Sequence, residues 1–208
     1  MTARVCGGSG RRFADFLLFG VTSAELAILC AYTPDFTITD WIYLLQHLWV
    51  LAIALMRRPA RAMDVSPGAC ASVLMAYAYP YAQIIWLDRA PGLALWPAAG
   101  VIVVTVAAVL SLASLFSLGR LFGVRPALRG VASSGPYRII RHPMYFSYIT
   151  ADIGYNLQEW NLGTVLLTTC GWLSLLYRIH AEERVLAQDA RWTSYTAAVR
   201  YRLVPGIW

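Results

Sequence analysis

The side chains best suited to chemistry lie in one short polar stretch, Ser133-Ser134-Gly135-Pro136-Tyr137-Arg138-Ile139-Ile140-Arg141-His142-Pro143-Met144-Tyr145, with apolar runs on both sides. Arg138 and Arg141 are of the type that grips carboxylate or phosphate through two parallel hydrogen bonds. His142 can donate, accept or ligate. Farther on, Glu182 and Glu183 follow Arg178 and His180 at the inner end of the final hydrophobic run. They can accept from ribose hydroxyls or from an ammonium group. Arginine and glutamate on one face would suit a zwitterionic, sugar-bearing small molecule. Two plainer arrangements use the same residues: arginines paired with the glutamates, or arginines resting on lipid phosphates.

Something must hold this stretch in place. Each proline fixes its own φ and pushes the residue before it toward extended backbone, so Gly135 and His142 are expected outside helices, in a stiff ribbon. The surrounding chain is 59% hydrophobic and 13% charged. That is more apolar and less charged than a soluble domain, and it points to one polytopic, all-α membrane domain. Spans are expected over residues 13–31, 41–56, 69–87 and 93–118, several of them near bilayer length. Two shorter apolar runs, 145–157 and 162–177, then read as a helical hairpin. The four spans form the N-terminal part, 13–118, and residues 133–205 the site-bearing part. From Arg178 onward the near-helical spacing of Leu186, Ala190, Tyr195 and Val199, with Arg184, Gln188 and Arg191 between them, predicts an amphipathic helix lying on the membrane.

Details within the spans carry expectations of their own. Pro80, with Tyr77, Tyr79 and Tyr81, should kink the third span, which then either lines a cavity or simply packs. Asp152 and Asn156, four residues apart, should face protein or a polar cavity rather than lipid. His47 reads as a packed, hydrogen-bonded side chain. Cys6, Cys30, Cys70 and Cys170 are scattered and read as free thiols, and no spacing suggests a metal site. Arg11-Arg12 before an apolar run imitates a signal peptide. Glu25 inside that run and the lack of a cleavage pattern favour a first transmembrane helix instead.

The net charge is +6 and every basic residue is arginine. Because the arginines flank apolar runs, they speak for topology and headgroup contact and against nucleic acid. With the N-terminus in the cytoplasm, four spans and a hairpin leave every arginine except Arg89 inside. The ribbon, the Glu182-Glu183 pair and the terminal helix would then share one cytoplasmic face.

Taken together, Gly135-Pro136-Tyr137-Arg138-Ile139-Ile140-Arg141-His142-Pro143-Met144-Tyr145, a hydrophobic hairpin, Glu182-Glu183-x-x-Leu186, Tyr195 and Val204-Pro205 resemble the isoprenylcysteine carboxyl methyltransferase and phospholipid methyltransferase superfamily. The resemblance covers residues 133–205. It implies a membrane-embedded enzyme whose cofactor, S-adenosyl-L-methionine, sits in a cytoplasm-facing pocket built from ribbon, hairpin and C-terminal helix. By position, Arg141, His142, Pro143 and Tyr145 form the first cofactor motif and Glu182 and Glu183 the second, with Tyr137 and Tyr195 as further contacts. Arg141, His142 and Glu183 are the implied catalytic set. Arg141 would hold the cofactor's carboxylate and a glutamate its ammonium or ribose, while His142 either fixes geometry or takes a proton. The sulfonium is already activated, so alignment matters more than a strong base. The acceptor would be a carboxylate, thiolate or amine on an amphiphile entering from the bilayer. The family usually has glycine two residues after the motif tyrosine, where this chain has Ser147.

Two other classes stay open at this point. Membrane sterol reductases share a related C-terminal architecture and use NADPH, and a scaffold or lipid-binding protein with a degenerate site fits the same hydropathy. The methyl acceptor and the oligomeric state are not readable from the residues.

Overall fold

The computed structural model describes residues 38–208, together with Gly20, Ser23 and Ala27, which are helical. The rest of the first expected span, with Cys6 and Cys30, lies outside the described residues. From there the chain is mostly helical. Helix α1 is Ile38–Met56, α2 is Pro67–Arg89, α3 is Pro97–Leu118, α4 is Pro143–Gln158, α5 is Leu162–Leu186 and α6 is Ala190–Ala198. Pairing of Ala62–Met63 (β1) with Ala127–Leu128 (β2) makes a two-stranded antiparallel clip that the all-α expectation lacked.

Local chemistry sets the helix starts. Ser66 caps α2 by accepting from the Ala69 N–H at 3.3 Å, and Pro67 follows at the first helical position, where no N–H is needed. Asn161 caps α5 through the Gly163 N–H at 2.8 Å. Pro97 opens α3, so the fourth span begins four residues later than expected. Leu93 is instead bridged to Trp160.

Two helices, 97–121 and 162–186, are each long and apolar enough to cross a membrane. The pair Pro67–Ala76 and Ala78–Leu87 makes a third if counted as one bent span. Its 41° bend lies one turn before Pro80, whose ring displaces the Ala76 carbonyl from its usual hydrogen bond. Trp41–Met56 is apolar but shorter. Ile102, Val106, Leu166 and Leu173 point outward and are exposed, as lipid-facing side chains are. The protein is an integral membrane protein.

The expected hairpin needs correction. Its second arm does not stop at Tyr177 but continues unbroken for 25 residues to Leu186, so Arg178, Glu182 and Glu183 stand on the same helix as the apolar run. Ile179, Ala181 and Val185 keep an apolar stripe buried past Arg178, and no breaker occurs before residue 187. The terminal helix shrinks to nine residues, capped by Asp189. Its Trp192 and Tyr195 pack with Val199, Val131 and Leu186.

The hairpin arms also part company. Helix α4 packs along α3 and α5 along α2, with fewer contacts between the arms themselves. The α3–α4 seam is very close: a Cβ on Gly154 would stand 2.9 Å from the Gly100 carbonyl oxygen. The arms are tied by a polar cluster. Tyr79 and Trp172 donate to the Asp152 carboxylate at 3.1 and 2.8 Å, and Asn156 joins Thr164 and Thr168 at 3.1 Å each. Asp152 is buried against protein, as its position in an apolar helix required. A cavity of about 370 Å³ lies among the helices, with a lining that includes Tyr43, His47, Tyr79, Pro80, Asp152 and Arg178. The kinked tyrosine-bearing helix therefore lines a cavity. His47 hydrogen-bonds the Tyr43 carbonyl at 2.7 Å. Cys70 and Cys170 are free thiols.

Candidate functional site

The ribbon is held at both ends and along its backbone. Gly135 has φ +55°, and its Cα faces the Ser117 hydroxyl with no room for a side chain. Rather than staying non-helical, it opens a short 3₁₀ turn, Gly135–Arg138. His142 is non-helical, as expected, and precedes Pro143 at the start of α4. The Arg141 and His142 N–H groups donate to the carbonyls of Tyr201 and Arg202, both at 2.9 Å. The ribbon is thus paired with the 199–203 segment.

Side chains complete the junction at the end of α5. Glu183 accepts from Arg141 Nη1 at 3.1 Å and Arg202 Nε at 2.9 Å, and lies 3.3 Å from His142 Nε2. Glu182 accepts from the Tyr145 hydroxyl at 2.7 Å and stands 3.7 Å from His142 Nδ1. The His142 and Tyr145 rings stack at 5.7 Å, and the Arg178 guanidinium covers the Tyr145 ring at 5.5 Å. Tyr195 donates to the Tyr137 carbonyl at 2.8 Å. Burial, against Arg141 and aided by Glu183, pushes the Tyr195 hydroxyl up to about 12. Burial also raises Tyr137 well above the usual tyrosine range, with help from Glu182.

A pocket of about 80 Å³ opens beside this junction. Of the residues singled out from sequence, Tyr137, Arg141, His142, Tyr145, Glu182 and Tyr195 line it. Glu183 and Pro143 stand behind its wall, and Arg138 is an exposed surface residue outside it. Arg141 lines the pocket with all three guanidinium nitrogens already donating to protein. Its Nε donates to the Val199 carbonyl at 2.8 Å, its Nη2 to the Arg200 carbonyl at 3.0 Å, and its Nη1 to Glu183.

Arg125 and Arg129, which the sequence presents as topology charges, line the pocket, as do Gly123 and Trp192, which lie outside the motif. A signal was present: arginines recur in a proline- and glycine-punctuated loop just before the ribbon. The second, larger cavity meets the pocket at Gly123, Met144 and Tyr145, which line both. Ser147, where the family usually has glycine, lines the larger cavity and not the pocket.

Residues 99–188 match the family model of the isoprenylcysteine carboxyl methyltransferase (ICMT) family. The matched stretch runs from α3 through the end of α5 and contains the ribbon and both glutamates. No curated protein and no solved structure matches the chain. The likeness seen in the ribbon motif is thereby established on a longer stretch, one that includes α3. The chain is a membrane protein similar, over this stretch, to a methyltransferase family.

Proposed function

We propose that the protein is an S-adenosylmethionine-dependent methyltransferase that binds its donor in the pocket beside the ribbon and its acceptor in the larger cavity. One observation carries the reading. A pocket bearing charged side chains near the ends of the helices and a mostly apolar cavity among them meet at a wall of three residues, Gly123, Met144 and Tyr145. Methyl transfer needs such a meeting of two compartments, because donor and acceptor must be held end to end.

The residues present fit the donor. The half-buried Glu182 carboxylate can accept from an ammonium or a ribose hydroxyl while keeping its bond from Tyr145. Tyr137 and Trp192 offer flat walls for a base, and the buried Nε of Arg129 has no partner. The pocket is smaller than a nucleoside amino acid, so its wall side chains move aside on binding. The donor, when bound, brings a methyl group already activated on a sulfonium. What the protein supplies is position and exclusion of water. His142, held by its backbone and between two carboxylates, orients Tyr145 and Glu182 rather than taking a proton from the acceptor. Arg141, Glu183 and Arg202 lock ribbon, helix end and the 199–203 segment into one body.

The acceptor is an amphiphile. An apolar chain suits the cavity wall, and the reacting carboxylate, thiolate or amine would reach the Tyr145 side. The positions of the arginines support a cytoplasmic site with both termini on that side.

Titration of S-adenosylhomocysteine and NADPH into the detergent-purified chain tests the reading, followed by incubation of membranes with methyl-labelled donor. The expected result is homocysteine-nucleoside binding and label in a lipid or lipidated fraction. Binding of NADPH alone would overturn it in favour of a sterol-reductase-like enzyme, and binding of neither in favour of a scaffold.

A further inference from the structure

Of the three arginines that line the pocket, two stand in opposite states. All three guanidinium nitrogens of Arg141 donate to protein, which leaves one N–H on each Nη. Arg129, at the end of β2, is 7% exposed, its Nε is buried without a partner, and no described residue forms a hydrogen bond or ion pair with it. Burial and the neighbouring Arg57 charge lower it to about 10, with only Glu182 pulling the other way. It remains a cation at neutral pH. Its guanidinium lies against Gly123, so closely that a Cβ there would collide with Nη1. A buried guanidinium without an anion is costly, and the cost is recovered when an anion is supplied.

We infer that Arg129, not Arg141, receives the carboxylate of the S-adenosyl donor, with Glu182 across the pocket receiving the ammonium. This rests on the methyltransferase reading above. The planar fork of Arg129 matches a carboxylate, and both oxygens can be taken by its free N–H groups. Arg125 also lines the pocket, but one of its amino groups is turned to the Cys70 sulfur at 3.4 Å. Arg178, the other buried arginine with an unpartnered Nε, donates to the Val124 carbonyl at 2.8 Å and faces the larger cavity.

The test compares S-adenosylhomocysteine with its decarboxylated analogue by calorimetric titration of the full chain in detergent. The parent is expected to prefer the carboxylate-bearing ligand about tenfold or more, the range of a charge-assisted hydrogen-bonded pair. Arg129→Gln should erase that preference and leave the affinity for the analogue unchanged. Its thermal midpoint without ligand should hold or rise, since a buried unpaired charge is gone. Arg129→Lys, which keeps charge without the fork, should recover part of the preference. A parent that binds both ligands equally overturns the Arg129 assignment, with no variant needed. So does an Arg129→Gln protein that keeps the preference, whatever its stability. A parent that binds neither ligand overturns the methyltransferase reading itself.

Discussion

Two carboxylates at two depths are satisfied in different ways. Glu183, at the end of α5, is met by Arg141, Arg202 and His142. Asp152, within α4, is met by neutral donors, the Tyr79 hydroxyl and the Trp172 indole. Near water, cations on irregular backbone can be gathered around an anion. Among packed helices a second charge would itself need solvation, and aromatic N–H and O–H groups supply hydrogen bonds without it. The first arrangement joins segments distant in sequence at a site. The second joins α2, α4 and α5 to each other.

Substitution should separate the two. The largest effect is expected from Glu183→Gln, which leaves Arg141 and Arg202 facing a neutral amide. A loss of about 3 kcal/mol, the lower end for a broken buried pair, should appear in denaturant unfolding, along with loss of S-adenosylhomocysteine binding. Asp152→Leu leaves the Tyr79 and Trp172 donors unpaired and should cost about 2 kcal/mol. Its calorimetric affinity for the same ligand should stay near the parent's. Equal loss of binding in both variants would mean the two regions are not separable.

Tyr195→Phe removes one hydrogen bond to the ribbon and should cost about 1 kcal/mol. It also carries a pH signature. Tyr195 ionises near 10 when unfolded and at about 12 when folded. Its contribution is therefore complete below pH 10 and is lost as pH rises toward 12. Unfolding followed across that window should show a shallower decline in Tyr195→Phe than in the parent. The smallest change is expected for Ser147→Gly, about 1 kcal/mol or less, from added backbone freedom within α4. Because Ser147 lines the larger cavity, it should alter acceptor preference and leave donor affinity alone.

Much of this plan is legible in the residues, for physical reasons. Prolines at 136 and 143 restrict backbone locally, so a ribbon between helices follows without tertiary knowledge. Buried Asp152 follows from the cost of a carboxylate in lipid. The boundary between α5 and α6 is not legible, because Arg178, Glu182 and Glu183 look like an exit to water. Only the fold shows that Tyr145, His142 and Arg202 meet them. Arg141 and Arg129 have the same side chain, and composition cannot say which is engaged. That depends on where the Val199 and Arg200 carbonyls fall, 58 and 59 residues along the chain.

The pairing of the ribbon with residues 199–203 also has a consequence for truncated chains. The motif residues and both glutamates precede Tyr201 and Arg202 in the chain, and the Arg141 and His142 amides have these partners only once the two carbonyls are in place. A chain truncated before residue 199 should thus keep its apolar helices in the membrane yet fail to hold the donor, and should be protease-sensitive at the ribbon.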